Sequence, residues 1–257
     1  MTVRAKIALV VAEFLGTGIL ATSVINISRS QIGIGYFIAF GVAITYGLLT
    51  MLFRPNGGAH FNPAVTLGLW TLRKVKTLHA LAFISAQILG GFAALKLAEY
   101  LAGQPFAATA AQNFDWHVLV AEMVGTLVFA FAIAAAVYQK YEAGKFAATV
   151  GAGLFAGVIV ASFASNATLN PAIAFANDTL SRAYIFGPII GAVVGMNLYA
   201  LLFAPTRALA EAERAAEKEV VVATTTRGRK TTTRKVTKTS KTAAKKKPAA
   251  RKKTTRK

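Results

Sequence analysis

The sequence predicts an all-α membrane protein: six transmembrane helices plus two re-entrant half-helices, arranged as an inverted 3+3 repeat. Three observations predict it. The 257 residues are 55% hydrophobic and 15% charged, where a soluble domain carries about 25% charged residues. Six stretches reach the roughly 20 apolar residues that a helix needs to cross a hydrocarbon core. And two short motifs each occur twice at nearly equal spacing, three spans apart.

In chain order the spans are read at about 7–27, 32–53, 77–101, 117–138, 146–165 and 183–204. The first follows Arg4 and Lys6, as a signal peptide's apolar region would, but it is too long for one and five more spans follow. A soluble helical bundle would carry polar faces at a 3.6-residue period, which these stretches mostly lack. Between the second and third spans stands Asn62-Pro63-Ala64, followed by a short apolar run at 65–72; between the fifth and sixth stands Asn170-Pro171-Ala172, followed by 173–180. Neither run is long enough to cross. Asn suits the N-cap and Pro the first helical position, so each reads as a re-entrant half-helix.

The repeat is visible in the letters: AEFLGT at 12–17 returns as AEMVGT at 121–126, and HFNPAV at 60–65 as TLNPAIA at 168–174. Glu13 precedes Asn62 by 49 residues and Glu122 precedes Asn170 by 48. Each half has three spans, an odd number, so the second copy enters the membrane inverted and a functional site is expected near the midplane between the halves. The two half-helix N-termini would meet there, bringing positive dipole ends and two Asn amides to one spot. Non-helical backbone at that depth must be buried in protein or line a wet cavity.

The net charge of +19 is unevenly spread: residues 1–206 hold 11 basic and 6 acidic residues, and 207–257 hold 18 and 4. With both termini on one side, that side receives Arg4, Lys6, Arg54, Arg73, Lys74, Lys76, Lys140 and Lys145, and the other Arg29, Lys96 and Arg182. The positive-inside rule then makes both termini cytoplasmic in a multi-pass cell-membrane protein. The absence of cysteine excludes a disulfide scaffold and thiol chemistry. Three scattered histidines (His60, His79, His117) make no metal site. No nucleophile–base pair or phosphate loop stands out, so neither an enzyme nor a cofactor is expected.

Over about residues 5–204 the chain resembles the aquaporins and aquaglyceroporins, the major intrinsic proteins. The likeness is carried by the paired Asn-Pro-Ala motifs, the AEFLGT/AEMVGT pair, GGAHFNPAVTLG at 57–68 and FGPIIGA at 186–192. The resemblance implies a homotetramer with a channel for water or small neutral solutes such as glycerol in each subunit. Asn62 and Asn170 would donate amide hydrogens to a passing oxygen, and the facing helix ends would raise the energy of any cation there. Read from the residues, Glu13 and Glu122 are buried acids satisfied by backbone amides; the resemblance implies that they support the re-entrant loops. A proton relay conflicts with proton exclusion. His60 resembles the family's loop histidine, a hydrogen-bonded strut; His79 and His117 sit at span edges and read as surface residues.

The sequence departs from the family at the outer constriction. Where the family normally has an arginine, three residues after the second motif's Asn, stands Ile173. The other wall positions fall on Val42, Val158 and Ala167, with Phe40-Gly41 replacing Val42 if the second span is offset. A narrow apolar ring would dewet and block; a wide one would admit bulkier neutral solutes, and these small side chains favour width. Arg182, in the same loop, is read as interfacial, its alternative being a reach back to the mouth. Small residues at helical spacing, including Gly90-Gly91 with Ala94, Gly153 with Gly157, and Gly187, Gly191 and Gly195, signal close helix packing.

The channel domain is therefore 1–206, with halves of about 1–103 and 116–206. Residues 207–219 (RALAEAERAAEKE) read as a short charged helix with pairs such as Glu211–Arg214. Residues 220–257 carry 15 basic residues and no acid, too polar to form a core, and read as a disordered Lys/Arg-rich tail. The tail is a solvated segment, an attachment to anionic lipid headgroups, or a salt-sensitive contact with nucleic acid. The rival to a channel is a non-conducting membrane scaffold, closed at its apolar mouth, that displays this tail. Two intact Asn-Pro-Ala motifs argue against it.

Overall fold

A computed structural model describes residues 2–30, 35–54, 58–106 and 113–205. The chain divides into two units, Met1–Ala204 and Pro205–Lys257; the charged helix at 207–219 and the tail at 220–257 lie outside the described residues. The described residues of the first unit form eight helices: α1 (Val3–Arg29), α2 (Gly35–Phe53), α3 (Pro63–Thr71), α4 (Thr77–Ala102), α5 (Trp116–Tyr138), α6 (Ala143–Ala161), α7 (Pro171–Ala176) and α8 (Arg182–Phe203). All but α3 and α7 are long and apolar enough to cross a membrane. Among the described residues there is no strand.

The elements follow from local chemistry. Thr2 caps α1, and Asp115 caps α5 by accepting from the His117 N–H at 2.7 Å. Gly103, at φ 71°, ends α4 in the left-handed region that glycine enters at little cost. The half-helix read over the 173–180 run ends within it, at Ala176. Asn177 takes the C-cap, Asp178 turns left-handed at φ 54°, and the Thr179 N–H closes back on the Ala174 carbonyl at 2.9 Å. Likewise α6 stops at Ala161, short of 165, and in the turn that follows the Ser162 hydroxyl donates to the Val158 carbonyl and the Ser165 hydroxyl to Glu122.

Packing pairs α1 with α4 and α5 with α8 through small residues. A Cβ on Gly195 would lie 2.5 Å from the Leu127 carbonyl oxygen, and one on Gly187 2.7 Å from that of Leu119. With no hydrophobic effect between helices in lipid, this close backbone approach supplies the contact. The burial pattern is that of a protein in hydrocarbon. Val11, Leu15, Ile19, Ile44 and Leu48 point outward, whereas Glu13, Gln87, Thr66 and Glu122 are fully buried.

Candidate functional site

The two Asn-Pro-Ala segments meet in the middle of the bundle. Asn62 and Asn170 have the same backbone (φ −156° at both; ψ 119° and 110°), and each caps its own half-helix. The Asn62 Oδ1 accepts from the Ala64 N–H at 2.8 Å, and the Asn170 Oδ1 from that of Ala172 at 3.0 Å. Their amide nitrogens then cross over: Asn62 Nδ2 donates to the Leu169 carbonyl and Asn170 Nδ2 to the Phe61 carbonyl, both at 2.8 Å. An amide NH₂ carries two hydrogens, so each Asn has a second donor left after this tie. Pro63 and Pro171 occupy the first turn of each half-helix, and Ala64 and Ala172 are fully buried behind it.

Each loop hangs from a buried carboxylate. Glu13 accepts from the His60 N–H at 2.8 Å, the Phe61 N–H at 2.7 Å and Gln87 Nε2 at 2.7 Å. Glu122 accepts from the Thr168 N–H at 3.0 Å, the Leu169 N–H at 2.7 Å and the Ser165 hydroxyl at 2.8 Å. Several charge-assisted hydrogen bonds compensate the burial of each acid. Such bonds matter because both loops turn through the left-handed region, at Ala59 (φ 73°) and Phe61 (φ 49°) in one and Ala167 (φ 47°) and Leu169 (φ 50°) in the other. His60 is buried, its Nδ1 3.1 Å from the Thr66 hydroxyl and its ring edge-on to Phe83. His79 is half-buried beside the same Phe83 ring, and His117 is exposed.

Two cavities open from this centre. One, of about 330 Å³, lies toward the face opposite the N-terminus and has Asn62 and Asn170 in its wall. Val42, Val158, Ala167 and Ile173 all line it, joined by Ile38, Leu20, Val24 and Leu154. Phe40 points away from it and is exposed. Polar groups form its rim: Ser28, Ser162, Ser165, Asn166, Thr168 and Asn177, with the Ser28 hydroxyl 3.4 Å from Asn177 Oδ1. Arg182 is exposed and is not among the lining residues.

The second cavity, of about 450 Å³, lies toward the N-terminal face and is lined by His60, Val65, Leu69, Ile133, Val137, Phe146 and Val150, together with Arg54 and Lys74. Tyr46 belongs to both cavities, its hydroxyl donating to the His60 carbonyl and its ring edge-on to Phe129 at 5.3 Å between centroids. Partial burial draws the Arg54 pKa down from its ordinary value, but a guanidinium stays protonated in proteins.

Sequence reasoning missed Tyr46, Phe129, Asn177, Arg54 and Lys74 as lining residues. The signal was present in the repeat. Leu20 follows Glu13 by seven residues and Phe129 follows Glu122 by seven; Arg54 precedes Asn62 by eight and Ser162 precedes Asn170 by eight. Each member of such a pair lines a cavity.

Residues 2–199 match the family model described as "Major intrinsic protein". Among curated relatives, "Aquaporin Z" of Photorhabdus laumondii is 32% identical over 225 residues, covering 75% of this chain and 96% of that one. "Aquaporin NIP1-1" of Oryza sativa subsp. japonica is 31% identical over 211 residues, covering 75% and 73%. In fold, the chain is similar to the X-ray structure of the aquaglyceroporin from Plasmodium falciparum, with a TM-score of 0.66 at 18% identity, covering 78% of this chain and 98% of that one. The chain belongs to the major intrinsic protein family, whose members are passive channels for water or small solutes and not enzymes.

Proposed function

We propose that the protein is a passive channel for water and small neutral solutes, glycerol-sized polyols included, and that the paired Asn-Pro-Ala motifs keep ions and protons out. The observation that carries this reading is the crossed tie between the two loops, which sets both Asn amides in the wall of one cavity. A water or hydroxyl oxygen passing there accepts hydrogen bonds from fixed donors, and its orientation interrupts a proton-conducting file. The N-terminal ends of the half-helices add positive potential at the same point, a cost felt by cations and hardly by neutral molecules.

Solute size follows from the mouth. Its cavity of about 330 Å³ is roughly ten times the ~30 Å³ that a water occupies in the liquid. Val42, Val158, Ala167 and Ile173 give it apolar walls, with hydroxyls and amides at the rim, an arrangement suited to molecules with both a carbon skeleton and hydrogen-bonding groups. A scaffold sealed at its mouth would have no use for a cavity that reaches both Asn side chains. The excess of basic residues at the N-terminal face supports a cell-membrane orientation with that face in the cytoplasm. The homotetramer, and a tail engaged with anionic lipid or nucleic acid, belong to the same proposal.

The test is swelling of proteoliposomes under osmotic and glycerol gradients. Flux of water or glycerol should exceed that of empty vesicles and fall in the Asn170→Ala variant. Equal flux in protein-containing and empty vesicles would falsify the channel reading.

A further inference from the structure

Of the two cavities that open from the Asn-Pro-Ala centre, the one at the N-terminal face carries fixed charge. Among the described residues, no charged side chain lines the cavity with Val42, Val158, Ala167 and Ile173. Among the described residues, the cavity at the N-terminal face is lined by Arg54 and Lys74 and by no acid. Both cations lie over aromatic rings: the Arg54 guanidinium carbon sits 3.6 Å from the centre of the Phe146 ring, itself part of the wall, and Lys74 Nζ 4.6 Å from that of Tyr138, outside the lining. Such stacking fixes the position of a cation without neutralising it, as a carboxylate would. The two come from different elements, Arg54 from the end of α2 and Lys74 from the turn after α3, and that turn is set by left-handed Arg73 and by the Lys74 N–H bonding the Leu69 carbonyl at 2.9 Å. Glu13, behind the loop, has its oxygens occupied by the His60 and Phe61 amides and Gln87, and Glu142, the acid exposed at this face among the described residues, is not in the lining.

We propose that Arg54 and Lys74 form the charge filter of this protein: a pair of fixed cations that repels cationic solutes at the N-terminal mouth and leaves neutral ones unaffected. The inference rests on the channel reading above and assigns to these residues a specificity role that the opposite mouth, with Ile173, does not supply. A low-dielectric cavity wall focuses the field of such charges along the path. Salt weakens the filter, because the cavity is open to solvent and the Debye length falls from about 14 Å at 50 mM to about 4 Å at 500 mM ionic strength.

The experiment measures entry of guanidinium into proteoliposomes of the full chain, divided by entry of whichever neutral probe, water or urea, passes the wild type. Urea and guanidinium have nearly the same size and shape and differ in charge. The ratio should rise about tenfold in Arg54→Gln/Lys74→Gln and stay at the wild-type value in the charge-preserving Arg54→Lys/Lys74→Arg. It should also rise several-fold in the wild type between 50 and 500 mM salt, a readout independent of how any variant folds. An unchanged ratio in the double Gln variant, or in the wild type at high salt, overturns the filter and leaves the channel standing. If neither neutral probe enters faster than into empty vesicles, the channel reading falls and the filter with it.

Discussion

The two cavities are lined from equivalent positions of the repeat, and charge separates them only toward the rims. Counting back from each motif Asn, the positions 24, 20 and 16 residues earlier are Ile38, Val42 and Tyr46 in one half and Phe146, Val150 and Leu154 in the other. The first two of each set face the cavity beyond their own half, and Tyr46 and Leu154 sit near the centre. Ala59 and Ala167, and Val65 and Ile173, are likewise twins. The inverted copies therefore share uncharged walls, identical or nearly so at Val42 and Val150, Ala59 and Ala167, and Val65 and Ile173, while Tyr46 and Leu154 already differ. Outward they separate: Arg54 stands opposite Ser162, Gly58 opposite Asn166, and Leu69 opposite Asn177. The centre has a geometric requirement common to both halves. The rims meet different solutions, and there each half has acquired its own chemistry.

The largest expected effects break the shared part. Replacing either buried acid by the isosteric amide places an NH₂ where backbone N–H groups need an acceptor. Each orphaned buried donor costs about 1–3 kcal/mol. Glu122 faces the hydroxyls of Ser165 and Thr168, which can rotate to accept as well as donate; Glu13 faces the Gln87 amide inside a network with Thr66. We expect Glu13→Gln to lose about 3 kcal/mol and Glu122→Gln about 2 kcal/mol, read as thermal unfolding in detergent. Equal losses would mean that the hydroxyls do not rescue the second loop.

A smaller effect distinguishes the two helix crossings beneath the loops. Gly16 and Gly125 each follow their acid by three residues. A Cβ on Gly125 would lie 2.6 Å from the Gly157 carbonyl oxygen, so α5 and α6 would have to separate; a Cβ on Gly16 would meet the Phe61 ring, so a side chain packed edge-on to Phe53 and Tyr46, and not a backbone, would have to shift. Overpacking typically costs about 1–3 kcal/mol. Gly125→Ala should fall at about 2 kcal/mol of that range and Gly16→Ala at about 1 kcal/mol, measured in the same unfolding assay.

The sequence made the centre legible because its signals are local. Asn-Pro-Ala specifies a cap and a first turn within three residues, and the structure builds both half-helices on it. The six spans follow from apolar length, with ends displaced at polar turns, as after Ala161. The rims were harder to read. Arg54 and Lys74 entered the sequence argument only as basic residues on one side of the membrane, since charge counting gives a side and not a facing direction. The lining role of Tyr46 depends on its hydroxyl reaching the His60 carbonyl across a loop. The offset from Asn62 was readable all along, but it becomes informative only once one twin is known to line a cavity.

Moving charge to the uncharged mouth sharpens the comparison of rims. Ile173→Arg would set a guanidinium beside Val42 and Val158, narrowing that cavity and giving both ends fixed positive charge. Glycerol flux should fall about tenfold relative to water, equivalent to about 1.4 kcal/mol on the barrier. Stopped-flow swelling with paired osmotic and glycerol gradients reads this directly. A fall in both fluxes by the same factor would point to general closure and not to selection by size.

The smallest effect concerns Asn177, whose twin is Leu69. Asn177 ends α7, and its side chain oxygen meets the Ser28 hydroxyl at the rim, so the pair offers a permeant polar contact before it enters the apolar ring. The helix end is closed by the main chain, through the Asn177 N–H to the Ile173 carbonyl at 2.8 Å, and does not depend on the amide. Asn177→Leu therefore makes this rim like its twin without unmaking the turn. A solute that sheds water at the mouth loses one compensating hydrogen bond, and glycerol flux should drop about twofold, or about 0.4 kcal/mol, while osmotic water flux changes less. The reciprocal Leu69→Asn adds a polar group where Arg54 and Lys74 already supply donors, and should leave the glycerol-to-water ratio unchanged within error. If the two substitutions shift the ratio equally, polar chemistry at the rims acts symmetrically, and the divergence between the halves concerns charge alone.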